Sequence, residues 1–335
     1  MAGFFKRSPF SKKAGGKDAP EPVAESPPRK PRDIEPDPGA IGISGSVPFV
    51  RLPSPGRLFA DRAERLRALA PEHPLAGYLS FLARIAEAQA RVQSERAAAR
   101  VQAASPPEAD RALRVEHGMP PLSRSLLADD PSFLAALDAL VVGVDLTEAP
   151  GPAQFARDAL RAASPEDRLD LAVQVFEGAL PVERMAECVF VAAALQVYLA
   201  EQAAQLDAKV LKPVADGVCP CCGGAPTASL IVSWTPADKA RYLSCSLCGT
   251  LWNHVRIRCT ACGAGEAIQY FGLDEVSKDI QVETCGTCHS YVKHLHQHRD
   301  PALDPIADDV ASYGLDLKIA EEGFKRAGLN LLFVN

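Results

Sequence analysis

Cysteine spacing is the strongest chemical signal in this sequence. Eight of its ten cysteines form four C-x-x-C pairs, and the stretches between successive pairs are 22, 10 and 22 residues long. Adding 40 to the numbers of the first four cysteines gives the second four, so the chain carries two copies of one unit. Two such pairs about 20 residues apart are typical of a tetrahedral four-sulfur site. The sequence predicts two metal ions, one bound by Cys219, Cys222, Cys245 and Cys248, the other by Cys259, Cys262, Cys285 and Cys288.

Disulfides and a crossed pattern are the two alternative arrangements of these cysteines. Disulfides are disfavoured, because a reducing compartment opposes them and chance does not repeat such spacing. A crossed arrangement, in which the two middle pairs share one ion, is compatible with the spacing but breaks the repeat. Four thiolates suit zinc and equally a single rubredoxin-like iron. A closed four-cysteine site leaves no open position for a substrate, which favours a structural or electron-carrying role over a hydrolytic one.

The stretch "CPCC" at 219–222 contains one cysteine too many for half a site. Cys221 corresponds to Ala261 in the second copy, and alanine cannot bind a metal, so we expect Cys221 not to be a ligand. Glycine directly follows Cys222, Cys248 and Cys262, where the chain of a metal-binding turn needs a positive φ that glycine tolerates. Cys188 lies in an apolar helical stretch and is predicted to be a core residue.

Histidines cluster late in the chain, and the last three alternate, so that on a strand they would share one face. We interpret them as a solvent-facing strand end, with an auxiliary metal contact as the alternative. The cluster consists of His289, His294, His296 and His298.

The apolar pattern predicts an α+β protein: a mainly helical N-terminal domain, two tandem small β-rich units of the rubredoxin or zinc-ribbon kind, and a C-terminal helix. Residues 1–45 are Pro-rich and predicted to be disordered. The predicted domains are 46–213 (helical), 214–257 and 258–298 (the four-cysteine units) and 299–335 (C-terminal).

Helices are expected over 56–70, 73–102, 131–142, 152–163, 164–180, 181–211 and 304–328, and strands over 228–234, 251–259 and 266–273. The helix 181–211 should be buried, and the second half of 73–102 more exposed.

Charge and motifs exclude several classes of function. The net charge is -6, and residues 218–298 hold equal numbers of basic and acidic residues, which argues against binding along a nucleic-acid backbone. The longest apolar run, 188–200, is too short to span a membrane, and the N-terminus lacks the apolar stretch of a signal peptide. We therefore expect a cytoplasmic protein. Phosphate-loop, G-x-S-x-G and H-E-x-x-H motifs are missing, so an enzyme is not predicted.

Several longer motifs resemble the formate dehydrogenase accessory protein (FdhE) family over roughly residues 47–335. They are "CPCCGG", "RYLSCSLCGTLWNHVRIRCTACG", "YFGLDE", "ETCGTCHSYVK", "DPIADDVASYGLD" and "EEGFKRAGLN". The resemblance implies a cytoplasmic assembly factor that molybdenum- or tungsten-dependent formate dehydrogenases need to become active, and that contacts their catalytic subunit. It also implies rubredoxin-like iron at the cysteine pairs, on the same eight residues that the spacing selects. Cys221, the late histidines and Asn330–Leu331, where the family has Asn-Pro, depart from its pattern.

Two other functions compete with the assembly factor. One is a tandem zinc-ribbon protein that binds nucleic acid, which the neutral charge of 218–298 weakens. The other is a rubredoxin-like electron carrier.

Overall fold

The computed structural model describes residues 6–7, 47–101, 105–273 and 277–333. The segment 1–45, predicted to be disordered, lies outside these residues except for Lys6–Arg7, which form a short strand.

Helices build the first half of the described chain around one buried helix. They are α1 (Pro55–Leu69), α2 (Ala76–Ala98), α3 (Glu108–Glu116), α4 (Ser125–Asp129), α5 (Ser132–Gly143), α6 (Gly151–Ala162), α7 (Pro165–Phe176) and α8 (Met185–Ala204), with a 3-10 turn at Val182–Arg184. Helices α1, α2, α5, α6 and α7 all pack against α8. Residues 190–200 in its middle are all buried, as predicted from its apolar sequence, and Cys188 near its start is 1% exposed.

The ends of these helices follow local chemistry in some places and tertiary contacts in others. The Ser164 hydroxyl accepts a hydrogen bond from the Asp167 N–H, and Pro165 occupies the first turn of α7, as the sequence predicts. The predicted exposure along the second half of α2 is wrong for Arg96. Its guanidinium is buried because Glu201 of α8 accepts from it at 2.8 Å.

Strands carry the cysteine units and form a single sheet. They are β1 (Lys6–Arg7), β2 (Val50–Arg51), β3 (Pro226–Ile231), β4 (Arg241–Cys245), β5 (Leu251–Asn253), β6 (Ile268–Gly272), β7 (Ile280–Cys285), β8 (Ser290–Leu295) and β9 (Lys325–Arg326). Their order is β1-β6-β7-β8-β3-β4-β5-β2, and β9 pairs with β8.

The 40-residue repeat is visible in this sheet as two antiparallel three-stranded halves. Strands β3-β4-β5 form one and β6-β7-β8 the other, and a parallel pairing of β3 with β8 joins them. The registers are equivalent, since Tyr242 pairs with Asn253 in the first half and Val282 with Lys293 in the second. The two copies therefore lie side by side in one sheet.

The C-terminal segment differs from the predicted single helix 304–328. It contains two helices, α9 (Ala307–Ala311) and α10 (Tyr313–Glu321), and then the strand β9. Gly323 adopts φ +83°, which ends the helical path and turns the chain back to the sheet. The predicted strand 251–259 is also too long, because β5 ends at Asn253 and the residues after His254 leave the sheet.

Within the described residues, two hydrophobic cores of unequal size form. The larger core joins the helical domain to the first cysteine unit and includes Cys219, Cys222, Cys245 and Cys248. The smaller core lies between the sheet and α10, around Tyr242, Val282 and Leu315. None of the helices in the described ranges is both long enough and apolar enough to cross a membrane.

Candidate metal centres

The fold gathers the eight predicted cysteines into two groups of four. Within each group the sulfur atoms all lie within 4.8 Å of one another. The first cluster consists of Cys219, Cys222, Cys245 and Cys248, and the second cluster of Cys259, Cys262, Cys285 and Cys288. Each takes its sulfurs from one copy of the repeat, so the crossed arrangement does not form among the described residues.

Distances between the sulfurs fit a tetrahedral metal ion. The first cluster has Sγ–Sγ separations of 3.7 Å (Cys219–Cys248), 3.4 Å (Cys222–Cys245) and 3.5 Å (Cys222–Cys248). The second cluster has 3.6 Å for Cys259–Cys288 and 3.8 Å for Cys262–Cys285. An ion about 2.3 Å from each of four tetrahedral sulfurs places them about 3.8 Å apart. A disulfide would bring two sulfurs to about 2.05 Å, so all eight are free thiols.

Backbone geometry around the sulfurs is also that of a metal-binding turn. The N–H of Gly223 donates to the carbonyl of Cys219 at 2.9 Å, and Gly263 donates to Cys259 at 3.1 Å. Backbone N–H groups point at sulfur as well, from Leu247 to Cys245 Sγ at 3.4 Å and from Ala261 to Cys259 Sγ at 3.3 Å. Such donors stabilise the negative charge of a thiolate.

Each C-x-x-C pair is followed by a residue with positive φ. Gly223, Gly249 and Gly263 have φ of 79°, 70° and 73°, which explains why the sequence has glycine there. In the fourth pair the equivalent residue is His289, with φ 54°. A histidine in this region is strained by its Cβ.

One hydroxyl group lies beside each cluster, and the cysteine spacing alone does not predict either of them. Thr250 Oγ1 lies 3.1 Å from Cys248 Sγ, and Ser290 Oγ lies 3.0 Å from Cys288 Sγ. The two residues are 40 positions apart and could have been found by extending the repeat beyond the cysteines. They place one hydroxyl next to the last sulfur of each cluster.

Protonation of the sulfurs depends on their surroundings. Burial raises the pKa of the Cys219 and Cys245 thiols well above the usual range, so a bound cation is needed before these sulfurs become thiolates together. Partial burial also acts to raise the pKa of Cys288. Hydrogen bonds from Ser290 and Cys262 outweigh it and lower that pKa to about 7.

Cys221 lies in the core beside the first cluster without belonging to its set of four. The side chain is fully buried, and its carbonyl accepts from the N–H of Leu122 at 3.0 Å. A hydrogen bond with Cys219 lowers the pKa of the Cys221 thiol. A hydrogen bond with Cys248 and burial act in the opposite direction and together outweigh it, so this pKa lies well above the usual range. Cys221 is therefore a neutral core thiol.

The interpretation of the late histidines as a solvent-facing strand end is wrong for two of them. His294 and His296 are 3% and 8% exposed, whereas His289 is exposed and His298 half-buried. Strand β8 lies between β7 and β3 and is covered on both faces, which alternation alone could not reveal. The rings of His294, His296 and His298 stack edge to face, with centroids 5.1 Å and 5.3 Å apart.

Fold and site together define a class of protein in which a helical domain is joined to two tandem four-cysteine units in one sheet. Models of three FdhE domains match this chain: "FdhE, N-terminal" at 47–216, "FdhE, central domain" at 218–256 and "FdhE, C-terminal domain" at 257–333. The chain belongs to the FdhE family, which confirms the resemblance found in its motifs.

Individual relatives agree over most of the chain. A "Protein FdhE homolog" from Rhizobium meliloti (strain 1021) is 41% identical over 303 residues, covering 89% of this chain and 96% of that protein. A homolog from Citrobacter koseri is 33% identical over 85% of this chain and 90% of its own length. The crystal structure of the FdhE protein from Pseudomonas aeruginosa matches with a TM-score of 0.75 and 33% identity, covering 86% of this chain and 99% of that one.

Proposed function

We propose that this chain is a non-catalytic, cytoplasmic accessory factor required for the maturation of active formate dehydrogenase, and that it binds the catalytic subunit of that enzyme. Membership of the FdhE family, known as formate dehydrogenase accessory proteins, supports the proposal over nearly the whole chain. The observation that carries it is the match to all three FdhE domain models, which together span residues 47–333. The two four-sulfur clusters support the metal-binding part of the proposal.

Both clusters are proposed to hold one ion each, iron or zinc. Cys219, Cys222, Cys245 and Cys248 would hold the first ion, and Cys259, Cys262, Cys285 and Cys288 the second. An ion of this kind supplies a cross-link between strands and, if it is iron, a one-electron redox centre. The residues around it orient and stabilise the thiolates through the N–H groups of the turns and the hydroxyls of Thr250 and Ser290.

A deletion strain tests the requirement for this chain. Formate dehydrogenase activity should disappear while transcripts of the enzyme's subunits stay unchanged. The wild-type gene and a Cys221→Ala variant should restore activity, and a Cys245→Ser variant should not. Normal activity in the deletion strain would refute the proposal.

Binding of the catalytic subunit needs a separate experiment. The full-length chain, tagged and purified anaerobically, should carry the catalytic subunit of formate dehydrogenase with it, as identified by mass spectrometry. If the subunit is not recovered although the deletion strain lacks formate dehydrogenase activity, the chain is required for maturation but does not bind the catalytic subunit directly.

A further inference from the structure

The two clusters differ sharply in how far the protein covers them. In the first cluster every cysteine is buried, with exposed fractions between 0% and 3%. In the second cluster Cys259 and Cys285 are buried, whereas Cys262 and Cys288 are exposed. Because the spacing of the two units is identical, the difference comes from their surroundings.

The helical domain closes the first cluster. Gln196 of α8 donates through Nε2 to the carbonyl of Ser246 at 2.9 Å, inside the second C-x-x-C pair. At the end of the same pair Leu58 of α1 packs against Gly249 so closely that a Cβ there would lie 2.8 Å from Leu58 Cδ2. The four cysteines thus lie in the same hydrophobic core as the helices.

A cleft of about 450 Å³ borders the first cluster but does not open it. Gly223, Gly224 and Leu247 line the cleft on the side of the cluster. Cys222 also borders it, yet only 2% of that residue is exposed. The cleft therefore reaches the edge of the first cluster but exposes almost none of Cys222.

The second cluster has no such cover in the part of the chain that is described. Neither hydrophobic core includes any of its four cysteines. Both of its C-x-x-C turns are exposed to solvent. The exposed residues are Ala261 beside Cys262 in the first turn, and Gly286 and Thr287 before Cys288 in the second. The segment leading into Cys259 exposes two large apolar side chains, Val255 at 60% and Ile257 at 61%.

We propose that the first cluster is a permanent structural site and that the second cluster is an exchange site, where an external thiolate replaces Cys262 or Cys288 as a ligand of the ion. This inference rests on the proposed function, in which each cluster binds one ion. A tetrahedral ion can expand to five ligands during exchange, but only where a fifth ligand can approach. The exposed edge of the second cluster gives that approach, and the buried first cluster does not.

The exchange step balances without an oxidant or reductant. The incoming thiol loses its proton and forms a new metal–sulfur bond, and the bond from Cys262 or Cys288 breaks. The released cysteine sulfur takes up the proton. Four sulfurs surround the ion before and after, and no electron changes hands.

Chelator kinetics on the full-length, zinc-loaded protein test the inference. Anaerobic mixing with excess 4-(2-pyridylazo)resorcinol should release two ions per chain in two phases of equal amplitude. The fast phase should be at least about tenfold faster, because release from the buried cluster requires local opening of the core. N-ethylmaleimide added after the fast phase should modify second-cluster cysteines, as located by peptide mass spectrometry, and spare the first cluster.

Added thiols and cysteine variants test which sulfurs exchange. Either glutathione or a synthetic peptide with a C-x-x-C pair should accelerate the fast phase alone, and the effective one identifies a small-molecule or a protein-borne acceptor. Cys262→Ser should abolish the fast phase, and the matched variant Cys222→Ser should abolish the slow phase. If either variant fails to fold, the alkylation map of the wild-type protein tests the same assignment of the two phases. A single phase, no acceleration by either thiol, or first-cluster cysteines modified first would overturn the inference. Fewer than two zinc ions in the starting protein would instead contradict the proposed function.

Discussion

Arg241 of β4 and Glu283 of β7 form a buried ion pair that connects the two copies of the cysteine unit. Arg241 Nη2 lies 2.7 Å from Glu283 Oε1, with the side chains 0% and 2% exposed. The pair bridges two intervening strands, and on the way Arg241 Nε donates to Ser229 Oγ at 2.8 Å. Arg241 Nη1 also donates to the carbonyls of Val255, Arg256 and Arg258, just before Cys259.

Arg241→Met should therefore destabilise the protein by about 3–5 kcal/mol, because it leaves the carboxylate of Glu283 buried without its cation. The free energy of unfolding in urea measures this. Arg256→Met is the control, since that side chain is exposed and its loss should change stability by no more than about 0.5 kcal/mol. An equal effect of the two substitutions would show that the buried pair does not hold the copies together.

Ser290→Ala should weaken metal binding at the second cluster by about tenfold or more, because it removes the hydroxyl 3.0 Å from Cys288 Sγ. Thr250→Val should act in the same way on the first cluster through Cys248. Competition titration against a chelator gives both affinities. Affinities unchanged in both variants would contradict a supporting role for these hydroxyls.

His289 and Gly249 occupy equivalent positions in the two copies. The substitutions His289→Gly and Gly249→Ala should change stability in opposite directions. Removing the Cβ of His289 relieves a positive φ on an exposed turn and should raise stability by up to about 1 kcal/mol. Adding a Cβ to Gly249 creates the same strain and a 2.8 Å contact with Leu58, so stability should fall by about 2 kcal/mol or more. Thermal unfolding compares the two, and a gain for Gly249→Ala would be incompatible with the close packing of Leu58 on Gly249.

Acid should destabilise the sheet through its stacked histidines. Burial lowers the pKa of His296 from 6.5 to about 4 and that of His294 well below its usual range. Between pH 6.5 and 4 the unfolded chain binds protons that the folded chain does not. The free energy of unfolding should therefore decrease as the pH is lowered from 6.5 to 4, by up to about 1.4 kcal/mol per pH unit for each proton.

A His296→Gln variant isolates this effect from other titrating groups. The amide stays polar and uncharged, so the variant should lose stability less steeply between pH 7 and pH 5 than the wild type does. Parallel pH profiles for the two proteins would show that His296 does not contribute.

Local patterns were sufficient to predict the cysteine quartets and the long helices. The 40-residue offset selected the same eight sulfurs that the fold brings together, and the apolar sequence of α8 indicated a buried helix. The helices α3 and α4 were missed because they are short, and α3 buries none of its residues. Strand β4 was missed although all five of its residues are buried, since a run this short has no clear period.

Tertiary context decided what the sequence could not. His294 and Arg241 are polar residues in strands, and only the sheet order buries them. The unequal cover of the two clusters is the clearest case, because identical spacing gives no hint that α1 and α8 enclose one unit and leave the other open.

Metal content of the full-length protein, purified anaerobically, tests the central claim of two independent four-sulfur sites most directly. Elemental analysis should find two ions of iron or zinc per chain in the wild type and in Cys221→Ala, and one in Cys245→Ser. A red, iron-containing protein would favour a redox role, and a colourless zinc protein a structural one. Loss of both ions from Cys245→Ser, or loss of one from Cys221→Ala, would contradict the assignment of the ligands.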